Sequence, residues 1–211
     1  MALIFSLKDL YIKRDYTITR QIEQIILDKF IALYNLEQKD VEISQGCDSS
    51  YDFRIKDKTF ELKIMSTPFY NIEVSRANGD PSGLTASKAD YYLIANPGYL
   101  YGQEVMKLRV VLTEDLRKAV KASTKVKVYS ANEHNSLGSI CYQIDPKMPH
   151  DFVGYFKIVE KIGRDYFIDF QDLTFFSLGR FTDIKIHKSL MCKVEKEETI
   201  KEQDLDFTFF E

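Results

Sequence analysis

Apolar residues recur at helical spacing along one long stretch, and much of the chain beyond it alternates instead. Ile22, Ile26, Phe30 and Leu33 fall three or four apart, which predicts an amphipathic helix over residues 17–36 with Thr17 or Thr19 as N-cap. Short segments of period two, bounded by turn residues, predict strands near 50–56, 59–65, 70–76 and 90–95. Ser66-Thr67-Pro68 separates the second from the third, and Asn96-Pro97-Gly98 is expected to end the fourth. The run Asn78-Gly79-Asp80-Pro81-Ser82-Gly83 is the strongest loop signal, leading into a short helix expected over 84–89. Leu108 to Leu112 reads as a further strand, followed by a helix to Ala122 that Thr113-Glu114-Asp115-Leu116 would cap. Residues 126–190 read as rich in β-structure, with Tyr155 to Glu160 and Tyr166 to Phe170 forming a hairpin hinged at Gly163. Met1 to Lys8 carries too short an apolar run for a signal peptide and reads as an edge strand or packed N-terminal segment.

Composition bounds this picture without naming a function. At 211 residues, 45% hydrophobic and 13% aromatic, the chain can bury a substantial core. No apolar run approaches the roughly 18–20 residues of a membrane helix, and the expected setting is cytoplasmic, that of a host cell if the protein is viral. Cys47, Cys141 and Cys192 are odd in number and widely spaced, and His134, His150 and His187 make no ligand pattern with them, so reduced thiols are expected. The net charge is −3, but residues 193–211 alone hold seven acids and three lysines, which leaves the rest of the chain slightly positive. Such a body binds DNA only if its bases line one groove.

The chemistry concentrates between Tyr51 and Asn96. Asp52 opens one alternating segment, and Glu61-Leu62-Lys63 lies in the next. Successive strand side chains alternate faces, so Glu61 and Lys63 point the same way and Leu62 the other. Two carboxylates can hold a divalent cation by hard oxygen ligands, while a lysine beside them steers a water or the transition-state charge.

Asp52…Glu61-Leu62-Lys63 resembles the core motif of the PD-(D/E)xK nuclease superfamily, which includes type II restriction enzymes and many phage nucleases. Asn71-Ile72-Glu73-Val74, Ser82-Gly83-Leu84 and Ser87-Lys88-Ala89-Asp90-Tyr91-Tyr92 resemble a phage-type branch. The resemblance covers the first half of the chain, and Tyr51 stands where the family name has proline. It implies an α/β, restriction-endonuclease-like αβββαβ core over 1–112; beyond it, the pattern reads as a β-rich C-terminal extension, α+β over 113–198 and packed on the core, with a C-terminal strand or docking tail over 199–211. It further implies Mg²⁺ (or Mn²⁺) held by Asp52, Glu61 and the Leu62 carbonyl, Lys63 acting on the water or the developing charge, and DNA as substrate. Glu23 and Glu73 match positions where the superfamily often places further acids.

The chain also carries its own decoys. Asp28 with Glu37-Gln38-Lys39 repeats the spacing, but on a solvated helix face and helix end. Asp172 with Asp183-Ile184-Lys185 repeats it again, but a charged tail follows instead of a helix and strand. Asp48 is read as a cap rather than a ligand. Arg76 and Lys88 flank the loop that holds Ser82, and the three either grip phosphates or belong to a plain turn into the short helix. Lys118 and Lys121, with Arg117, Lys125 and Lys127, form the one basic cluster, read either as a DNA contact or as a solvated face. The acidic tail carries Leu205, Phe207, Phe209 and Phe210, which suit either a closing strand or a peptide that docks on a sliding clamp. The rival to a nuclease is a non-catalytic DNA-binding or clamp-tethered accessory protein with the same fold. The pattern leaves substrate form and oligomeric state open.

Overall fold

A computed structural model describes residues 4–13, 16–34, 36–44, 50–131, 137–148 and 151–175. Its strands are β1 (Ile4–Ser6), β2 (Val41–Ile43), β3 (Phe53–Ile55), β4 (Lys58–Ile64), β5 (Tyr70–Ser75), β6 (Tyr91–Leu100), β7 (Gln103–Leu112), β8 (Val126–Tyr129), β9 (Ser139–Ile144), β10 (Asp151–Ile162) and β11 (Asp165–Phe175). Its helices are α1 (Leu7–Lys13), α2 (Tyr16–Tyr34) and α3 (Thr113–Ala122). The protein is mixed α/β and mostly sheet. Eight strands form the main sheet in the order β1-β11-β10-β7-β6-β4-β3-β2, and β5-β9-β8 form a smaller one. All main-sheet neighbours are antiparallel except β4 and β6, which run parallel.

The period-two pattern assigns each face of the main sheet its own core. Phe60, Leu62, Leu93, Leu108 and Phe156 are buried with Ile22 and Ile26 of α2. On the opposite face, Tyr92, Ile94 and Val111 pack with Tyr70 and Ile72 of β5 and Leu116 of α3. The strands on either side of residue 112 share one sheet, because β10 pairs directly with β7.

Several sequence expectations hold. α2, the β3–β4 hairpin, β6, α3 and the β10–β11 hairpin all form, and Ile4–Ser6 is an edge strand against β11. Others are corrected. Residues 70–75 are a strand but leave the main sheet for β9, so β3, β4 and β5 are not a three-strand meander. Residues 84–89 are not a helix: a turn spans 83–86 and 87–89 are irregular. A single helix-like bond, Ser87 N–H to Gly83 carbonyl, starts there. The next donors go elsewhere, Lys88 N–H to Ser50 and Asp90 N–H to Thr59. A helix cannot propagate when its amides are committed to distant strands. The loop fits because Gly83 has φ +50° and lies against β5, where an added Cβ would sit 2.3 Å from the Glu73 carbonyl oxygen.

Asn96-Pro97-Gly98 does not end β6, which runs on to Leu100. The backbone of Ala95 faces β4, accepting the Met65 N–H. Pro97, two residues on, faces the same side beyond the end of β4, where no partner needs its missing N–H. Thr113 does not cap α3 with its side chain. Its buried hydroxyl instead donates to the Ala89 carbonyl at 2.7 Å, fastening α3 to the loop before β6. Asp48, Cys47, Cys192, the three histidines, the motif at 183–185 and the tail residues Leu205, Phe207, Phe209 and Phe210 lie outside the described residues.

Candidate functional site

The site forms where β3 parts from β4. Odd-numbered residues of β4 bond toward β6, as Thr59 does to Asp90 N–H and Met65, just past the strand, does to Ala95. Even-numbered residues therefore turn their backbone toward β3. That strand pairs only as far as Phe53 with Phe60, so the Leu62 N–H would be orphaned past the hairpin. Asp52 fills the gap, its Oδ2 accepting the Leu62 N–H at 2.7 Å while its own N–H donates to the Phe60 carbonyl at 2.9 Å. An N–H and C=O of one strand residue point to the same edge, so the Leu62 carbonyl also faces the Asp52 side.

Glu61 and Lys63 share a face, as strand alternation requires, and their side chains pair at 2.5 Å. Glu23 arrives from α2 almost fully buried, with one oxygen 2.7 Å from the Arg20 guanidinium. These groups feel one another. Burial and then the Asp52 charge push the Glu23 carboxyl up to about 7, although Arg20 opposes the shift. Burial also raises Glu61, with Asp52 adding to the rise and Lys63 opposing it. For Lys63, burial pulls the ammonium down, but the Glu61 and Asp52 carboxylates outweigh it and hold the amine firmly protonated. Tyr92 lies directly across from Glu61 in the parallel register. Its phenol is pushed up to about 12, chiefly by burial.

Glu23, Asp52, Glu61, Arg20 and Lys63 carry three formal negative and two positive charges, so the cluster is one positive charge short of balance. Its donors are hard oxygens. Each carboxylate has one oxygen engaged, by Arg20, Leu62 N–H and Lys63 respectively, so a cation could take the other without breaking these bonds. The donor set thus fits Mg²⁺ or Mn²⁺ in chemistry. Among the described residues no group of three acids, cysteines or histidines is drawn close enough to grip a metal as it stands.

The other candidates divide. Glu73 is not with this cluster: it sits on β5 in the small sheet, accepts the Ser82 hydroxyl at 2.5 Å and lies opposite Cys141. Ser82 is therefore occupied by Glu73. Arg76 is exposed at the end of β5 beside Asp80. Lys88 is exposed but fastened by its N–H to Ser50, two residues before Asp52. Lys118 pairs with Asp115 at 3.0 Å, and Lys121 is exposed on the same helix.

Sequence reasoning passed over Arg20, whose i,i+3 spacing to Glu23 was a readable signal. It also passed over Tyr92, whose place beside Glu61 depends on a parallel register that no local pattern reveals. Arg117, counted only as one of the basic cluster, donates to the Ser87 carbonyl at 3.0 Å and so joins α3 to the loop at the site. Cys141 is a buried free cysteine whose thiol burial pushes up to about 11. Among the described residues no helix is long and apolar enough to cross a membrane. No protein-family model, no curated protein and no solved structure matches the chain.

Proposed function

We propose that the chain is a magnesium-dependent deoxyribonuclease built on a restriction-endonuclease-like core. The observation that carries this reading is the gathering of Glu23, Asp52, Glu61 and Lys63, from α2, the lead into β3 and β4, close enough for their charges to act on one another. Asp52 and Glu61, with the Leu62 carbonyl, would hold the ion. When bound, it supplies Lewis-acid polarisation of the phosphate and a more acidic water. Lys63 then serves as a fixed cation for the charge developing on the phosphoryl oxygens; its raised pKa suits it poorly to removing a proton. Glu23, poised to titrate near neutral pH, is the group suited to hold the proton that the attacking water releases. Lys88 and Arg117, joined by the loop at Ser87, supply positive charge for the DNA backbone beside it.

The test is a nuclease assay with Mg²⁺ on duplex, flap and single-stranded DNA. Wild-type protein should cut at least one of them. Lys63→Ala and Glu61→Ala should each lower the rate by about 100-fold or more while the fold is retained. Wild-type protein inert on every substrate would leave the accessory DNA-binding reading in its place.

A further inference from the structure

Lys63 lies opposite Ile94, and Ile94 opposite Arg109. Cross-strand partners point to the same face, so Lys63 and Arg109 share one row of the main sheet. Two strand spacings of about 4.8 Å put their backbones about 10 Å apart. Arg109 is buried, yet among the described residues no carboxylate pairs with it. One of its terminal nitrogens donates to the uncharged Asn96 side chain, which in turn donates to the Pro68 carbonyl at 2.6 Å. Its Nε has no hydrogen-bond partner, and the buried hydroxyl of neighbouring Tyr70 lies against the guanidinium. Lys107, half-buried on the same face of β7, adds a second cation, its Nζ 5.8 Å from the Phe152 ring centre. The turn that Asn96 holds through the Pro68 carbonyl is exposed at Pro68 and Phe69.

A cation taken out of water without a counter-ion is costly to keep in a fold. A buried guanidinium and a half-buried ammonium side by side, with no carboxylate paired to either among the described residues and an unpartnered N–H on the first, describe a receptor for an anion. Arginine's planar fork matches oxyanions, and a phosphate, with more acceptor oxygens and more charge than a carboxylate, can engage both cations and the phenol at once. We propose that Arg109, Lys107 and Tyr70 form a phosphate-binding site, separate from the acid cluster, that anchors a phosphate of the nucleic acid at a distance from the reacting one. Only the assignment of that phosphate to nucleic acid rests on the nuclease reading.

Thermal unfolding with inorganic phosphate at fixed ionic strength tests the site itself. Phosphate should raise the wild-type Tm, and Lys63→Ala should keep that rise. Arg109→Gln should abolish it, and Lys107→Gln should weaken apparent binding about tenfold. A wild-type Tm indifferent to phosphate, or an undiminished rise in Arg109→Gln, would overturn the proposal. If Arg109→Gln does not fold, unchanged phosphate binding by Lys107→Gln overturns it alone. The second arm measures duplex binding in the Lys63→Ala background, where cleavage is silenced. Adding Lys107→Gln should lower DNA affinity about tenfold. Loss of phosphate binding with unchanged DNA affinity would overturn the nucleic-acid assignment and mark the ligand as free phosphate. Wild-type protein that binds phosphate through Arg109 but cuts no DNA would support the site and sink the nuclease reading.

Discussion

On the face of the main sheet that meets α1 and α2, strands β4, β6, β7 and β10 present Phe60, Leu62, Leu93, Leu108 and Phe156. On the face that meets β5 and α3, three of those strands present Glu61, Lys63, Asn96, Lys107 and Arg109 between their apolar residues. One strand period supplies both, so a shift of one residue would exchange hydrocarbon for charge. The first face secures the fold through area removed from water. The second holds polar groups whose desolvation is only partly offset, as the unpartnered Arg109 Nε records. Such groups are costly to keep in a structure; the strands of the sheet hold theirs on one face, while α2, packed on the other, adds Glu23 and Arg20 to the acid cluster.

The largest effect should come from the supporting face. Phe156→Ala should lower unfolding free energy by about 3–5 kcal/mol in urea titrations. Activity per folded molecule should persist, and a small loss would refute the division between faces.

The Glu23 environment should give the next largest effect. Its carboxyl titrates near 4.5 in the unfolded chain and about 7 in the fold. Between those values the folded chain binds more protons, so stability is fully present below pH 4.5 and falls as pH rises to about 7. At most this amounts to about 3 kcal/mol. Glu23→Gln should flatten that slope in metal-free buffer and leave the protein more stable than wild type at pH 8. An unaltered slope in urea unfolding between pH 5 and 8 would contradict the assignment.

Thr113→Val should cost about 1 kcal/mol, the worth of its hydroxyl bond to the Ala89 carbonyl. The smallest effect is reserved for Glu73→Gln, which should leave cleavage within about twofold, since its contacts run to Ser82 rather than to the acid cluster. A collapse of cleavage in this variant would return Glu73 to the site.

What the sequence made legible follows from period. Alternation places Glu61 and Lys63 together, and the helical stripe places Glu23 at the border of α2, because both periodicities are local. Alternation states which face a residue takes but not which sheet its strand joins, so the departure of β5 was hidden. The missing helix at 84–89 was hidden for a related reason: Ser50 and Thr59, which claim its amides, are distant in sequence. Pro97 read as a terminator because its tolerance depends on where β4 ends, a fact about a neighbouring strand. Arg109 drew no notice since nothing local shows that a cation on a strand will lack an acid across from it.

The margins of the two sheets carry a further consequence, for solubility. Both edges of the main sheet, β1 and β2, are strands of three residues, too short to offer another chain a useful ladder of free amides. The small sheet ends instead on β8, where Val126, Val128 and Tyr129 are exposed. Lys127 is set between the two valines and Lys125 just before them. Two like charges along so short an edge make stacking against an identical strand repulsive.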